Sequence, residues 1–133
     1  MPYRISKKFA FSASHCLDHM PEGHPCRGTH GHNYEVELVL ASEALDDKGM
    51  VLDYHDMKPF KDWIDKYLDH THLNDYIPKL YVDGKIGLMP TAENLARILV
   101  KVADEHLNLP SNVHIYRVRV SETPKTWAEH KPK

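Results

Sequence analysis

Three histidines in the first quarter of the chain are spaced to share one metal ion. His30 and His32 flank Gly31. Residues i and i+2 of a strand point to the same face, roughly 6–7 Å apart along the chain. Two imidazoles so placed reach one ion at about 2.0–2.1 Å, the usual Zn–N distance. Gly31 between them permits close backbone approach. His15 ends an earlier extended segment, and if the two segments pair antiparallel it supplies a third nitrogen. Three histidines and an open fourth position make the pattern of a catalytic zinc site, because structural sites are usually closed by four protein ligands. On spacing alone, two surface histidines at the start of a strand compete with that reading.

Cys26 lies four residues before His30, in a loop that would overhang the metal. A thiol near a cation has a lowered pKa and becomes a usable base or nucleophile. The same spacing also fits a closed site of one cysteine and three histidines, or an idle loop thiol. Cys16 points to the opposite strand face from His15 and reads as a packing residue. Farther on, Asp69 precedes His70 directly. A carboxylate there can orient and polarise the imidazole for proton transfer; a histidine favoured near the negative end of a helix dipole is the simpler alternative. Glu122 stands near the end of the last long apolar segment. Its carboxylate could accept a pair of hydrogen bonds from the N–H and NH₂ edge of a pterin or guanine ring, or it could be a solvated strand end.

Hydropathy periods supply the elements that must position these groups. Tyr3 to Cys16 reads as a strand with Phe9, Phe11, Ala13 and His15 on one face. His32 to Leu40 reads as a second, with His32, Tyr34, Val36, Leu38 and Leu40 inward and Asn33, Glu35 and Glu37 outward. Leu17 to Gly31 is the His-, Pro- and Gly-rich loop between them. Met50-Val51-Leu52 reads as a short third strand. A helix is expected from about Asp56 to Leu68, with Met57, Phe60 and Ile64 at helical spacing and Pro59 in its first turn. A second is expected over Ala92 to His106, N-capped by Thr91. Asp75 to Met89 is a long loop, with a hairpin expected around Asp83-Gly84. Val113 to Glu122 is a strand with Tyr116, Val118, Val120 and Glu122 on one face, and Thr126-Trp127-Ala128 a last extended piece. Strands, helices, then strands predict an α+β fold, one antiparallel sheet with two helices packed on one face.

Composition narrows the function classes. The 133 residues fit one domain, and Lys plus Arg (17) nearly balances Asp plus Glu (19). A nucleic-acid or membrane-surface partner would usually demand a basic excess. No apolar run is long enough for a bilayer, and the N-terminal residues lack the apolar stretch of a secretory signal. A cytoplasmic protein is expected, with both cysteines as thiols. Histidine is the unusual count, at 11.

The ordered motifs resemble those of the 6-pyruvoyltetrahydropterin synthase family. They are Phe9-Ala10-Phe11-Ser12-Ala13-Ser14-His15, the run from Pro21 to Tyr34 with Cys26 and His30-Gly31-His32, Gly49 to Tyr54, Leu68-Asp69-His70, Leu73-Asn74-Asp75, Pro90 to Asn94 and Ser121-Glu122-Thr123. The nearest resemblance is to the bacterial 6-carboxy-5,6,7,8-tetrahydropterin synthases of the queuosine pathway, because only three residues separate Cys26 from His30. The segment Tyr76 to Met89 is longer than usual for the family. The resemblance implies a T-fold, Zn²⁺ on His15, His30 and His32, Cys26 as catalytic thiol, and Asp69 with His70 as a relay. It also implies Glu122 as pterin anchor and member of the relay, and Thr91 near the bound pterin. The implied substrate is 7,8-dihydroneopterin triphosphate. The implied assembly is a homo-oligomer built from trimers, such as a hexamer, with active sites between subunits. A 6-pyruvoyltetrahydropterin synthase, which keeps the three-carbon side chain, is the near alternative. A non-catalytic pterin- or purine-binding protein or structural zinc module is the distant one.

Overall fold

The computed structural model describes residues 1–82, 84–86 and 88–132. Its main sheet has five strands in the order β3-β1-β2-β6-β7. They are β1 (Tyr3–His15), β2 (His30–Ser42), β3 (Thr71–His72), β6 (Val113–Thr123) and β7 (Thr126–His130). A separate pair, β4 (Tyr81–Val82) and β5 (Lys85–Ile86), falls inside the long loop. Asp83, at the tip of the expected hairpin, lies outside the described residues. The helices are α1 (Lys58–Tyr67) and α2 (Ala92–His106).

β1 and β2 form one long antiparallel ribbon, with Phe9 opposite Val36, Phe11 opposite Tyr34 and His15 opposite His30. Because side chains alternate in a strand, this register places Phe9, Phe11, Ala13 and His15 beside Tyr34, Val36, Leu38 and Leu40 on the inner face. All eight are buried. The helices cover that face. Phe60 of α1 meets Phe9 edge to face at 5.1 Å, and Leu95, Ile98, Leu99 and Val102 of α2 join the same apolar cluster. Thr91 caps α2 as expected, its Oγ1 accepting from the Asn94 N–H at 3.2 Å. α1 begins later than expected. Asp53 accepts from the His55 N–H at 2.9 Å and starts a 3₁₀ turn, Tyr54–Met57, that leads into the helix.

Three expectations need correction. Met50-Val51-Leu52 is no strand. Asp46 closes a turn there, its N–H donating to the Met50 carbonyl at 2.8 Å and its Oδ1 accepting from the Met50 N–H at 3.0 Å. Val51 and Leu52 are buried in a bend with no partner strand. Tyr116 does not share the inner face with Val118 and Val120. Arg117 opposes Val39 and Ile115 opposes Leu40, so Tyr116 is the extra residue of a β-bulge. Its ring lies on the outer face, 4.5 Å beneath the Arg4 guanidinium. Finally, the sheet is not wholly antiparallel. β3 runs parallel to β1, pairing Ala13 with Thr71 and Ser14 with His72.

Candidate active site

His15 and His30 are cross-strand partners at the end of the β1–β2 ribbon, and His32 follows two residues along. Their ligand nitrogens lie within 4.8 Å of one another. The second nitrogen of two rings is already committed. His15 Nδ1 is 2.7 Å from the Pro90 carbonyl, and His30 Nδ1 is 2.8 Å from the Gly28 carbonyl. A carbonyl can only accept, so both rings carry their proton on Nδ1. Both Nε2 lone pairs are therefore free, and they face each other at 2.9 Å. Two lone pairs at that distance repel unless a cation lies between them. His32 Nε2 is buried without a hydrogen-bond partner, which costs free energy unless something is bound there. His15 is 1% exposed, and burial is the chief cause that lowers its pKa, holding it neutral as a metal ligand must be. Three converging imidazoles, two of them oriented by carbonyls, fit a metal ion in donor type and tautomer. Cys26 is not in the ligand group. That argues against the closed site of one cysteine and three histidines.

Glu122 reaches the same place from β6. β6 carries a second irregularity between Val120 and Thr123, where its partner strand is one residue shorter. Such bulges re-aim side chains. The Glu122 carboxylate lies 3.7 Å from His32 Nε2 and is 25% exposed, so it is no solvated strand end.

The Asp69–His70 pair stands elsewhere. Asp69 Oδ1 accepts from the Ser12 N–H at 2.9 Å, and its Oδ2 is 2.9 Å from His70 Nδ1. The Ser12 hydrogen bond is the largest cause holding the Asp69 carboxyl below the usual carboxylate range. His70 does not cap α1. It takes a left-handed conformation, φ 60°, and donates its N–H to the Ser12 carbonyl at 2.6 Å. Its side chain is 83% exposed. It lines a shallow depression of about 500 Å³ with Ser12, Ser14, Asn33 and His72, which His32 also borders. Ser12, Ser14 and Asn33 alternate with Ala13, His15 and His32 and so belong to the outer face. By strand parity the triad side chains point to the inner face, and the Ser12, Ser14 and Asn33 side chains beside His70 point to the outer face.

Cys26 sits in a 3₁₀ turn, Pro25–Arg27, and is half-buried. Arg27 Nη1 donates to the Asp18 and Met20 carbonyls at 2.6 and 2.9 Å, tying this turn to the start of the loop. Thr91 spends its hydroxyl on the α2 cap, next to the Pro90 carbonyl that orients His15. Sequence reasoning missed the orienting carbonyls of Pro90 and Gly28. It also missed Asn74, whose amide accepts from the Cys16 N–H and donates to the Cys16 carbonyl, both at 2.9 Å. Asn74 thereby continues the edge of β1 just beyond His15. The one available signal was its place in the Leu73-Asn74-Asp75 motif.

Residues 4–133 match the 6-pyruvoyl tetrahydropterin synthase family. Among curated relatives, the chain is 36% identical to the 6-carboxy-5,6,7,8-tetrahydropterin synthase of Synechocystis, over 95% of this chain and 91% of the relative. It is 30% identical to the enzyme of that name from Rickettsia conorii, over 95% and 98%. The solved 6-pyruvoyl tetrahydropterin synthase of Caenorhabditis elegans shares the fold, with a TM-score of 0.78, 24% identity and coverage of 98% and 96%. No helix among the described residues is long and apolar enough to cross a membrane.

Proposed function

We propose, for a chain that belongs to the 6-pyruvoyl tetrahydropterin synthase family, the activity of a zinc-dependent 6-carboxy-5,6,7,8-tetrahydropterin synthase. With one water it converts 7,8-dihydroneopterin triphosphate to 6-carboxytetrahydropterin, releasing acetaldehyde and triphosphate. The observation that carries this reading is the triad, in which the His15 and His30 lone pairs converge and His32 Nε2 is orphaned. Two curated relatives of that name, matched over nearly their whole length, support the carboxy product.

His15, His30 and His32 would hold the zinc ion, which when bound supplies Lewis acidity to the substrate's side-chain oxygens. Glu122 accepts from the N–H and NH₂ edge of the pterin and fixes the ring beside the triad. Cys26, as thiolate, removes a proton from the side chain. His70 returns it. Asp69 accepts a hydrogen bond from His70 Nδ1–H and so leaves Nε2 as the working nitrogen. Thr91 borders the pterin through the turn that also orients His15.

His70 stands among side chains of the outer face, whereas the triad points inward, and in this reading it serves the site of a neighbouring copy. Open sheet edges support such an assembly. β3 covers only Ala13 and Ser14 of β1, and β7 ends the other side of the sheet. Two of the large exposed apolar side chains, Tyr3 (42%) and Trp127 (57%), stand on those two strands. Unpaired edges of this kind invite another chain, and a closed ring of three copies would pair every edge. The protein acts in the cytoplasm.

The test is product analysis of zinc-loaded protein with 7,8-dihydroneopterin triphosphate under anaerobic conditions. 6-Carboxytetrahydropterin with equimolar acetaldehyde is the expected result. 6-Pyruvoyltetrahydropterin without acetaldehyde would move the chain to the other branch of the family. Unchanged substrate would favour a binding role.

A further inference from the structure

We propose that His24 is a positioning residue for the Cys26 thiol, acting through the Cys26 backbone. From Pro21 to Thr29 only His24 and Cys26 are half-buried; the other residues are exposed. The Cys26 backbone is held at both of its polar groups. Its N–H donates to His24 Nδ1 at 3.0 Å, and its carbonyl accepts from the Leu17 N–H at 2.8 Å. With both fixed, the thiol keeps only its side-chain torsion as freedom.

The His24 contact is an N-cap made by an imidazole. His24 has extended backbone, φ −68° and ψ 136°, ahead of the turn Pro25–Arg27, and accepts from the N–H two residues on. Asp, Asn, Ser and Thr normally fill this place. Gly23 delivers the ring there with φ +88°, which a side chain would strain. The His24 N–H is anchored to the Pro21 carbonyl at 3.0 Å. Accepting at Nδ1 puts the ring proton on Nε2. His24 therefore takes no proton from Cys26 through the nitrogen that faces it. Its contribution is geometric, and misplacing a reacting group by about 1 Å costs up to about 100-fold in rate.

This inference rests on Cys26 as the base of the proposed reaction, and the experiment separates the two. His24→Ala and His24→Asn are compared with the wild type in zinc content, kcat, KM and the rate of Cys26 alkylation by iodoacetamide. Asn keeps an acceptor at the cap and has no imidazole. His24→Ala is expected to lower kcat by about 10- to 100-fold, with zinc content and KM within about twofold of wild type. His24→Asn should recover kcat to within about threefold of wild type, since it replaces one good cap by another. Alkylation should quicken in His24→Ala and return in His24→Asn. Wild-type kcat and alkylation in His24→Ala would overturn the proposal. So would a His24→Asn variant as impaired as His24→Ala, because the ring itself would then be required. Full turnover by Cys26→Ala would overturn the role of Cys26 in the reaction. The alkylation rates would still report whether His24 sets the position of its thiol.

Discussion

The inner face of the β1–β2 ribbon and the edge beside its outer face hold their histidines in different ways. On the inner face, His15 is buried to 1% exposure and takes its orientation from the Pro90 carbonyl at 2.7 Å. On the outer face, His70 is 83% exposed and takes its orientation from the Asp69 carboxylate at 2.9 Å. A neutral carbonyl fixes a tautomer and adds no charge, which suits a ring that must stay neutral to bind a metal. A carboxylate also stabilises the imidazolium, which suits a ring that must gain and lose a proton. The partner of each histidine therefore reveals its task better than the histidine does.

The largest effect should come from the inner face. His15→Ala or His32→Ala is expected to empty the metal site and abolish turnover, with zinc per chain read by atomic absorption. A variant that kept its zinc would break the assignment of the triad. Cys26→Ala should lose about 10²–10⁴-fold in kcat, the usual worth of a general base, and keep its zinc. Loss of zinc in that variant would return the thiol to the ligand set. Asn74→Ala should cost about 1–3 kcal/mol of stability, because it strips the Cys16 N–H and carbonyl of their partner in a half-buried place. Urea denaturation measures this, and an unchanged midpoint would show that water replaces the amide freely. The smallest effect belongs to the outer face. The Asp69 pKa is lowered on folding, first by the Ser12 N–H and then by His70. The folded state thus binds fewer protons at this group than the unfolded state. Its stabilisation is complete above the ordinary carboxylate pKa of about 4 and is lost as pH falls through the folded value. Asp69→Asn should be less stable than the parent near neutral pH, and the gap should close at acid pH. A gap independent of pH would show that the charge on Asp69 contributes nothing.

Much of this was legible in the residues. The alternation of Phe9, Phe11, Ala13 and His15 is unambiguous because one face of β1 is buried along its later half. The limits of α2 follow from Thr91 as its cap and the stripe Leu95, Ile98, Leu99, Val102. His30-Gly31-His32 announced its geometry through the two-residue period of a strand. The missed features depend on contacts distant in sequence. A single extra residue at Tyr116 leaves the hydropathy pattern intact, so period alone carries the wrong face across the bulge. Met50 to Leu52 has apolar residues and a preceding turn, but a strand also needs a neighbour. The pairing of Thr71 and His72 with β1 exists only after α1 has returned the chain to that edge. Every residue has a backbone carbonyl like those of Pro90 and Gly28, so nothing in their identity marks them as orienting groups. The Asp69-His70 pair was readable; that Asp69 is held by the Ser12 N–H beside the outer face was not.

Subunit complementation decides whether the triad and His70 meet only between copies. Cys26→Ala and His70→Ala chains, each expected to be strongly impaired alone, are unfolded together, refolded as mixed assemblies and assayed for turnover. Activity restored in the mixture is expected, because some sites then combine an intact Cys26 beside one triad with an intact His70 from the adjoining copy. A mixture as inactive as its components, with zinc content and assembly size like the wild type, would show that one chain supplies both groups.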